Sequence, residues 1–581
     1  MTIYQVLTRL FGNDCTKCVP AGTKEENGCG TLAAFSGKAL DEIRSLGATH
    51  VWFTGLIEHA TQTDYSAYGI KPDCKDVVKG KAGSPYAIKD YYDVDPDLAT
   101  DVTRRMKELE NLISRTHKAG LGFIMDFVPN HVARQYHSDA CPEGVEDLGA
   151  NDDRTVAFST QNNFYYLPGR PLHLDYIVGR HSNYSEVPAK VTGNDCFTAW
   201  PGGIDWYETV KLNYGIDYQN GYRRCFTPHP DTWGKMLDIL LFWAAKGVDA
   251  FRCDMAEMVP VEFWHWAIRE VKKQYPDIMF IAEVYNPALY REYVRRGGFD
   301  YLYDKVGLYD TLRAVTRNEA SAQCLTGCWQ QVDDIREHML HFLENHDEQR
   351  LASDFFAGDA RRGRAPMLVS ALMDASPVMI YFGQELGERG MDAEGYSGCD
   401  GRTTIYDYWS VDTVRRWRDG GKFSGKKLTG DEQRLREFYA RLLGLRESLP
   451  VLRSGRFYDL MYVNSHLHRQ YVFTRSLERE VVLVVANFDE SDADVCVNLP
   501  QEFFQYIKLE GQTDMLATDL LSGEQTHVDF TFTAPLRVKV RGLNGLMLSL
   551  KFCPVGSSEA RRPHITPSAP RRQHVALGVF S

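Results

Sequence analysis

The chain has 581 residues, 44% of them hydrophobic and 25% charged, with 66 Lys and Arg against 78 Asp and Glu for a formal net charge of -12. That length exceeds one ordinary domain, and the composition is that of a soluble globular protein with a large core. The acidic balance, without a long basic run, argues against nucleic acid or an anionic membrane as partner, and nowhere do eighteen apolar residues run together to span a bilayer.

In chain order, Ile3-Tyr4-Gln5-Val6-Leu7 reads as a first strand, with no pattern of a secretory signal before it. The 13 Cys are odd in number and scattered, which fits a reducing compartment, and a cytoplasmic protein is the expectation. In the loop that follows, Cys15, Cys18 and Cys29 resemble part of a zinc site without an evident fourth ligand. Asn13, Asp14, Glu25, Glu26 and Asn27 offer oxygens for calcium there, and unpaired thiols in a polar loop are the plainer reading.

Further apolar runs at 49–55, 121–127, 248–253, 278–284, 299–303, 340–344 and 377–382 read as strands. Segments 103–119, 261–275, 364–374 and 431–447 carry helix-spaced apolar residues, as do Trp233, Met236, Leu237, Leu240, Leu241 and Ala244. Eight strands alternating with helices predict an α/β fold, a (β/α)8 TIM barrel over 1–130 and 231–450, although doubly wound sheets share the alternation. About a hundred residues separate Asp126 from Trp233, too many for a structureless connection. Residues 131–230, rich in Asn, Gly, Tyr and Pro, are therefore expected to form an inserted subdomain after strand three. From about 451 the period becomes that of short strands between turns, so 451–553 is expected to be a C-terminal all-β sandwich. Residues 554–581, with several Arg and Pro and no apolar periodicity, are expected to be a disordered tail.

In a (β/α)8 barrel the active site lies at the C-terminal ends of the strands. Strand three ends Asp126-Phe127-Val128-Pro129-Asn130-His131, strand four Arg252-Cys253-Asp254, strand five Glu283 and strand seven Glu344-Asn345-His346-Asp347. A lone strand-end Asp is usually a cap or turn former; several, each after an apolar run, are not explained by capping. Glycosidic cleavage needs two carboxyl groups, one as acid and one as nucleophile or base. Arg252 projects to the same face as Asp254 and is expected to keep it ionised, while an apolar strand before Glu283 suits a proton-holding acid.

The stretches Asp126–His131, Gly247–Asp254, Glu283 and Phe342–Asp347 resemble, in order and spacing, the four signature regions of the α-amylase family of glycoside hydrolases (family 13). Ser84–Tyr92 after strand two and Pro377–Glu385 at strand eight extend the resemblance, which covers residues 1–552. It implies Asp254 as nucleophile, Glu283 as acid/base and Asp347 as transition-state stabiliser. Arg252, His131 and His346 would contact the sugar, and Tyr86 would stack on its ring. It further implies retention of configuration and an α-1,4-glucan or maltooligosaccharide substrate.

Glu257 and Met258 depart from the Lys-His that many α-amylases carry after the nucleophile, which predicts a weakened leaving-group side and poor use of long chains. Ser84 stands where the family usually carries a His. Val210-Lys211-Leu212-Asn213 resembles the neopullulanase-like form of a fifth region, without the Asp of the calcium-binding version. Asn130 remains as one calcium ligand where six to eight oxygens are needed, and the chemistry itself requires no cofactor. An α-glucosidase or transglycosylase of the same family, or an inactive carbohydrate-binding relative, are the alternatives.

Overall fold

The computed structural model of the chain describes residues 1–391, 393 and 395–552, so the tail at 554–581 lies outside the described residues. Eight parallel strands close into a barrel: β1 (Thr2–Leu7), β2 (His50–Thr54), β3 (Gly122–Phe127), β4 (Ala250–Cys253), β5 (Met279–Ala282), β6 (Tyr301–Tyr303), β7 (Met339–Phe342) and β8 (Val378–Tyr381). They neighbour one another in chain order, with β8 pairing back on β1. Nearly every residue of these strands is buried, as expected when one face meets the barrel interior and the other the helices. Doubly wound topology is thereby excluded.

The helices Arg105–Lys118, Asp231–Ala244, Val261–Gln274, Arg364–Leu372 and Gly430–Ser448 lie where the apolar spacing placed them. Their starts follow local chemistry. Pro230 and Pro260 precede two of them, and Thr429 caps the last by exchanging hydrogen bonds with Glu432 in a capping box.

Between β3 and the helix Asp231–Ala244, three small antiparallel pairs form: His131–Ala133 with Thr209–Lys211, Tyr166–Leu167 with Ala189–Lys190, and Ile216–Asp217 with Arg223–Arg224. A separate apolar cluster that includes Tyr165, Leu167, Leu174, Val191 and Tyr207 holds much of this region together.

After the last barrel helix come β9 (Arg456–Asp459), β10 (Gln470–Leu477), β11 (Glu480–Asn487), β12 (Ala493–Val497), β13 (Gln512–Asp519), β14 (Gln525–Phe530), β15 (Leu536–Val540) and β16 (Asn544–Lys551). Six form one sheet in the order β9-β10-β11-β16-β13-β14, while β12 and β15 pair separately. The all-β unit is thus unequal, with only two strands in its second sheet. Fully buried Arg475 ties it to the barrel by donating to the carbonyl of Leu372 at 3.2 Å.

Candidate active site

The barrel register sets the site. Arg252 on β4 lies opposite Asp126 on β3 and Ile281 on β5. One rung further, the Asp254 amide donates to Phe127 O at 2.9 Å and the Glu283 amide to Cys253 O at 3.1 Å. Both carboxylates thus stand on the last hydrogen-bonded rung, aimed into the barrel mouth.

Arg252 is wholly buried and links them. Its Nη1 lies 2.8 Å from Asp254 Oδ1 and 3.4 Å from Asp126 Oδ1, its Nη2 lies 2.8 Å from Glu283 Oε2, and its Nε donates to the Tyr303 hydroxyl at 3.2 Å. The rings of Trp52, Tyr86 and Tyr303 surround the guanidinium with centroids within 5.5 Å, a cation–π enclosure. Glu283 also accepts from the Met255 amide at 2.9 Å and the Tyr285 hydroxyl at 2.5 Å. Met255 reaches this pose through a left-handed backbone, φ 43° and ψ 41°, a strained conformation for a residue with a side chain.

The third carboxylate, Asp347, meets His346 Nε2 at 3.0 Å, and its backbone carbonyl accepts from Arg402 Nε at 2.6 Å. His346 is fixed in turn by Gln5 at 2.8 Å on Nδ1 and by the Tyr86 hydroxyl at 2.6 Å on Nε2, with the Tyr86 ring stacked on it.

Burial pushes the Asp254 carboxyl well above the ordinary carboxylate range; Arg252 opposes this, while Glu283 and Asp347 add to it. Burial also works to raise Asp347, but His346, then Arg252 and Arg402, carry it down to about 2. Charged groups this close bear on one another, so the ionisation of Asp254 belongs to its surroundings as well as to itself. Arg252 alone does not set the ionisation of Asp254, as the sequence suggested it would. Burial, then Lys211 and Lys79, press the His131 imidazole down to about 3, so it is neutral.

Tyr86, His131, Asp254, Glu283 and Asp347 line a cleft of about 700 Å³. Arg252 and His346 do not line it; they stand behind its floor and hold the carboxylates. Further lining residues escaped the sequence reading: Tyr285, Trp206 and Tyr406, the buried pair Lys79–Glu208 (2.9 Å), and Lys305, whose ammonium lies 3.4 Å from Glu348. Ser84, where a His was expected, also lines the cleft.

Glu257 and Met258 are not among the residues lining this cleft. Glu257 Oε2 accepts from the amides of Tyr285 (3.1 Å) and Asn286 (3.0 Å), and the Met258 sulfur lies against Asn130 Nδ2 at 3.7 Å. Both side chains are half-buried and line a separate depression of about 370 Å³, together with Asn286, Leu289 and Tyr293.

The oxygens around Asn130 do not fit calcium. Lys211 Nζ lies among them, 2.5 Å from Asn130 Oδ1, 2.7 Å from Asp195 Oδ1 and 3.2 Å from Met258 O. A fixed ammonium supplies the positive charge that the cage would otherwise take from an ion. The zinc idea also fails on geometry, since Cys15, Cys18 and Cys29 each donate to a different backbone carbonyl, of Glu26, Ser410 and Gly30. Among the described residues, the one acidic, His or Cys cluster with ligand spacing is Glu58, Asp90 and Asp93. Asp90 and Asp93 already accept hydrogen bonds on all four oxygens.

An α-amylase of Streptomyces lividans is 27% identical over 395 residues, covering 60% of this chain and 39% of that protein, so the chain spans about two fifths of that relative's length. A cyclomaltodextrinase of a Bacillus species is 23% identical over 505 residues, covering 84% of this chain and 72% of the relative. The α-amylase of Geobacillus thermoleovorans, solved with acarbose, superposes with a TM-score of 0.61 at 19% identity, covering 95% of this chain and 98% of that one. Residues 21–440, most of the chain, match the α-amylase catalytic domain, and the chain belongs to that family.

Proposed function

We propose that the protein is a retaining hydrolase of α-1,4-glucosidic bonds in starch-type glucans or maltooligosaccharides. The observation that carries this reading is the meeting of Asp254, Glu283 and Asp347 in one cleft, with the first two on opposite nitrogens of one buried guanidinium. In this reading Glu283 acts as the acid, and so must enter the first step protonated. The Asp254 carboxylate attacks C1 of the sugar while Glu283 gives its proton to the glycosidic oxygen, and the leaving chain departs as an alcohol. Glu283, now ionised, takes a proton from water, whose oxygen attacks C1 from the vacated side and frees Asp254. Asp347 stabilises the positive charge that develops on the ring, and Tyr86 offers its face to the sugar.

Free thiols among the described cysteines support a cytoplasmic setting. The likeness to a cyclomaltodextrinase over most of the chain makes cyclodextrins a substrate to compare with amylose, pullulan and sucrose. The decisive experiment is hydrolysis of maltoheptaose by the parent and by Asp254→Asn, with NMR of fresh product. The parent should release the α-anomer first, and the variant should lose several orders of magnitude in rate, because an amide is a poor nucleophile. Initial β-anomer, or near-normal turnover by pure D254N, would overturn the mechanism.

A further inference from the structure

A second cavity, of about 870 Å³, lies where the barrel helix Gly430–Ser448 faces the C-terminal unit, and it shares no lining residue with the catalytic cleft. Its size suits a small organic ligand, for which about 300–1,000 Å³ is usual. Six cationic side chains line it, Arg364, Arg434, Arg441, Arg537, Lys539 and Arg541, against the carboxylates of Glu437, Asp519 and Glu524. In a chain of net charge -12, this local excess of positive charge runs against the whole.

Local structure brings these charges together. Arg537, Lys539 and Arg541 fall two residues apart along β15, where Leu536, Val538 and Val540 are the buried alternates. On the helix Gly430–Ser448, the spacing of Arg434, Phe438 and Arg441 puts them on one face. Arg364 opens the helix Arg364–Leu372, and Leu368, one turn on, packs against β16. A Cβ at Gly545 would come within 2.2 Å of Leu368 Cδ1, so glycine alone permits this close approach of helix and strand. Arg364 from the helix and Asn544 from the strand both line the cavity at this joint. Charged side chains on an edge strand also discourage strand pairing, but that role does not account for Arg364, Arg434 and Arg441, which the barrel helices carry.

Most of the cations lack partners. Among the described residues, none of Arg364, Arg441, Arg537, Lys539 and Arg541 pairs with a carboxylate, while Arg434 meets Asp431 at 2.6 Å on the exposed rim. Asp519 is taken up by the backbone, accepting from the amides of Leu521, Ser522 and Met547. The Nε of Arg364 is buried without a hydrogen bond, and its guanidinium lies 5.7 Å from the Phe438 ring centroid. Burial, and then Arg361, hold this guanidinium below the ordinary arginine pKa. Asn544 Oδ1 is likewise buried and unpartnered. Such atoms are few in folded proteins. An unmet donor among cations calls for an anion, and an unmet acceptor calls for a hydroxyl.

We propose that this cavity binds a phosphate ester that also carries hydroxyl groups, a sugar phosphate, at the joint between the barrel and the C-terminal unit. Near neutral pH a phosphate monoester brings a charge of about -1.5 to -2 and three strong acceptor oxygens, and the planar guanidinium meets it with paired N–H donors. Arg364 takes the phosphate from the helix side and Arg537 and Lys539 from β15, while a sugar hydroxyl donates to Asn544 Oδ1. The ligand class follows from this lining alone and is independent of the reading of the cleft.

Isothermal titration calorimetry of the full chain at low salt, with glucose 6-phosphate, inorganic phosphate and glucose, tests this. Glucose 6-phosphate should bind with a Kd of about 1 mM or tighter, inorganic phosphate more weakly and glucose not at all. Arg364→Gln should weaken glucose 6-phosphate binding about tenfold or more, the loss of a charge-assisted pair. The double variant R537Q/K539Q, on an exposed strand face, should weaken it similarly. Asn544→Ala should weaken the ester and leave inorganic phosphate unchanged, a split that a loosened joint would not give. Thermal unfolding without ligand checks that each variant is folded. Three results would overturn the proposal: no binding of glucose 6-phosphate by the parent, parent-level affinity in both R364Q and R537Q/K539Q, or glucose bound as tightly as its phosphate. Inorganic phosphate bound as tightly as the ester, or N544A at parent level for both, would overturn the sugar's part in it. The measurement needs no turnover, so an inactive parent that binds glucose 6-phosphate through Arg364 would sink the hydrolase reading and leave this site standing.

Discussion

Replacing Lys211 by Ala should turn a calcium-indifferent protein into a calcium-responsive one. Lys211 ends the strand Thr209–Lys211, paired with His131–Ala133, and its side chain is almost wholly buried. Its ammonium is the common partner of Asn130 Oδ1, Asp195 Oδ1 and Met258 O. Removing one partner of a buried pair costs about 3–5 kcal/mol. Asp195 is one-third exposed and can regain some hydration, so about 2–3 kcal/mol is expected here. Unfolding entropy grows with size, at about 2.1 cal/mol/K per residue, so if the 581 residues unfold as one cooperative unit the Tm should fall by only about 1.6–2.5 °C. The truncated side chain leaves three oxygens facing a vacated volume, which water and calcium can share. Calcium at a hundredfold excess over its Kd would restore about 2.7 kcal/mol. Thermal unfolding by circular dichroism, with EDTA and with millimolar calcium, reads both effects. A parent Tm that drops in EDTA, or a K211A protein as stable as the parent and indifferent to calcium, would refute the ammonium's role.

Glu283→Gln should lose about 10²–10⁴-fold on maltooligosaccharides, yet far less on α-maltosyl fluoride, whose leaving group departs without a proton; equal losses would take the acid role from Glu283. Glu58 provides a stability test. It is 1% exposed, neither carboxyl oxygen is hydrogen-bonded, and burial, opposed by Lys89 and reinforced by Asp90 and Asp93, lifts its pKa to about 9. Between 4.5 and about 9 the folded chain keeps a proton that the unfolded chain has lost, so this group's contribution to stability falls as pH rises through that window. Glu58→Gln, neutral at every pH, should therefore raise the Tm at pH 8 and leave it near the parent's at pH 5, and a shift of equal size at both would contradict the assignment.

The barrel and the convergence of Asp254, Glu283 and Asp347 were legible because both rest on local pattern. An apolar run fixes a strand, the residue ending it falls at the barrel mouth, and parallel register brings neighbouring ends together. What backs the site was not legible. Trp52, Tyr303 and Gln5 lie inside runs that read as ordinary core, and only closure of the barrel brings them to Arg252 and His346. Lys211 meets Asn130 across 81 residues, so its use as a fixed cation depends on how the inserted region folds back. The two-stranded second sheet was missed for a like reason. Strands β12 and β15 alternate as any half-buried strand would, and their mutual pairing is a fact of topology.

Glu257 shows that a family substitution read as a one-for-one exchange leaves out the contacts the side chain makes. On the sequence, Lys at this position would restore a cation to the leaving-group sugar and improve the use of long chains. In the structure one oxygen of Glu257 accepts from two successive amides, those of Tyr285 and Asn286, and so sets where Tyr285 presents its hydroxyl to Glu283. A lysine has three donors and no acceptor. Glu257→Lys would leave the Tyr285 amide without its partner and place a positive charge against two N–H dipoles. Hydrogen bonds to a charged group contribute about 1.5–3 kcal/mol each, less where water competes, as it does at exposed Asn286. The expected cost is about 2–3 kcal/mol of stability. Because Tyr285 would shift relative to the acid/base, kcat/KM should fall about tenfold or more on maltotriose and on amylose alike. Glu257→Gln, which keeps an acceptor oxygen, should lose far less on both counts. Thermal unfolding together with kcat/KM on the two substrates decides it. An E257K enzyme with the parent's Tm and a raised preference for amylose would return this side chain to the sugar and remove it from the support of Tyr285.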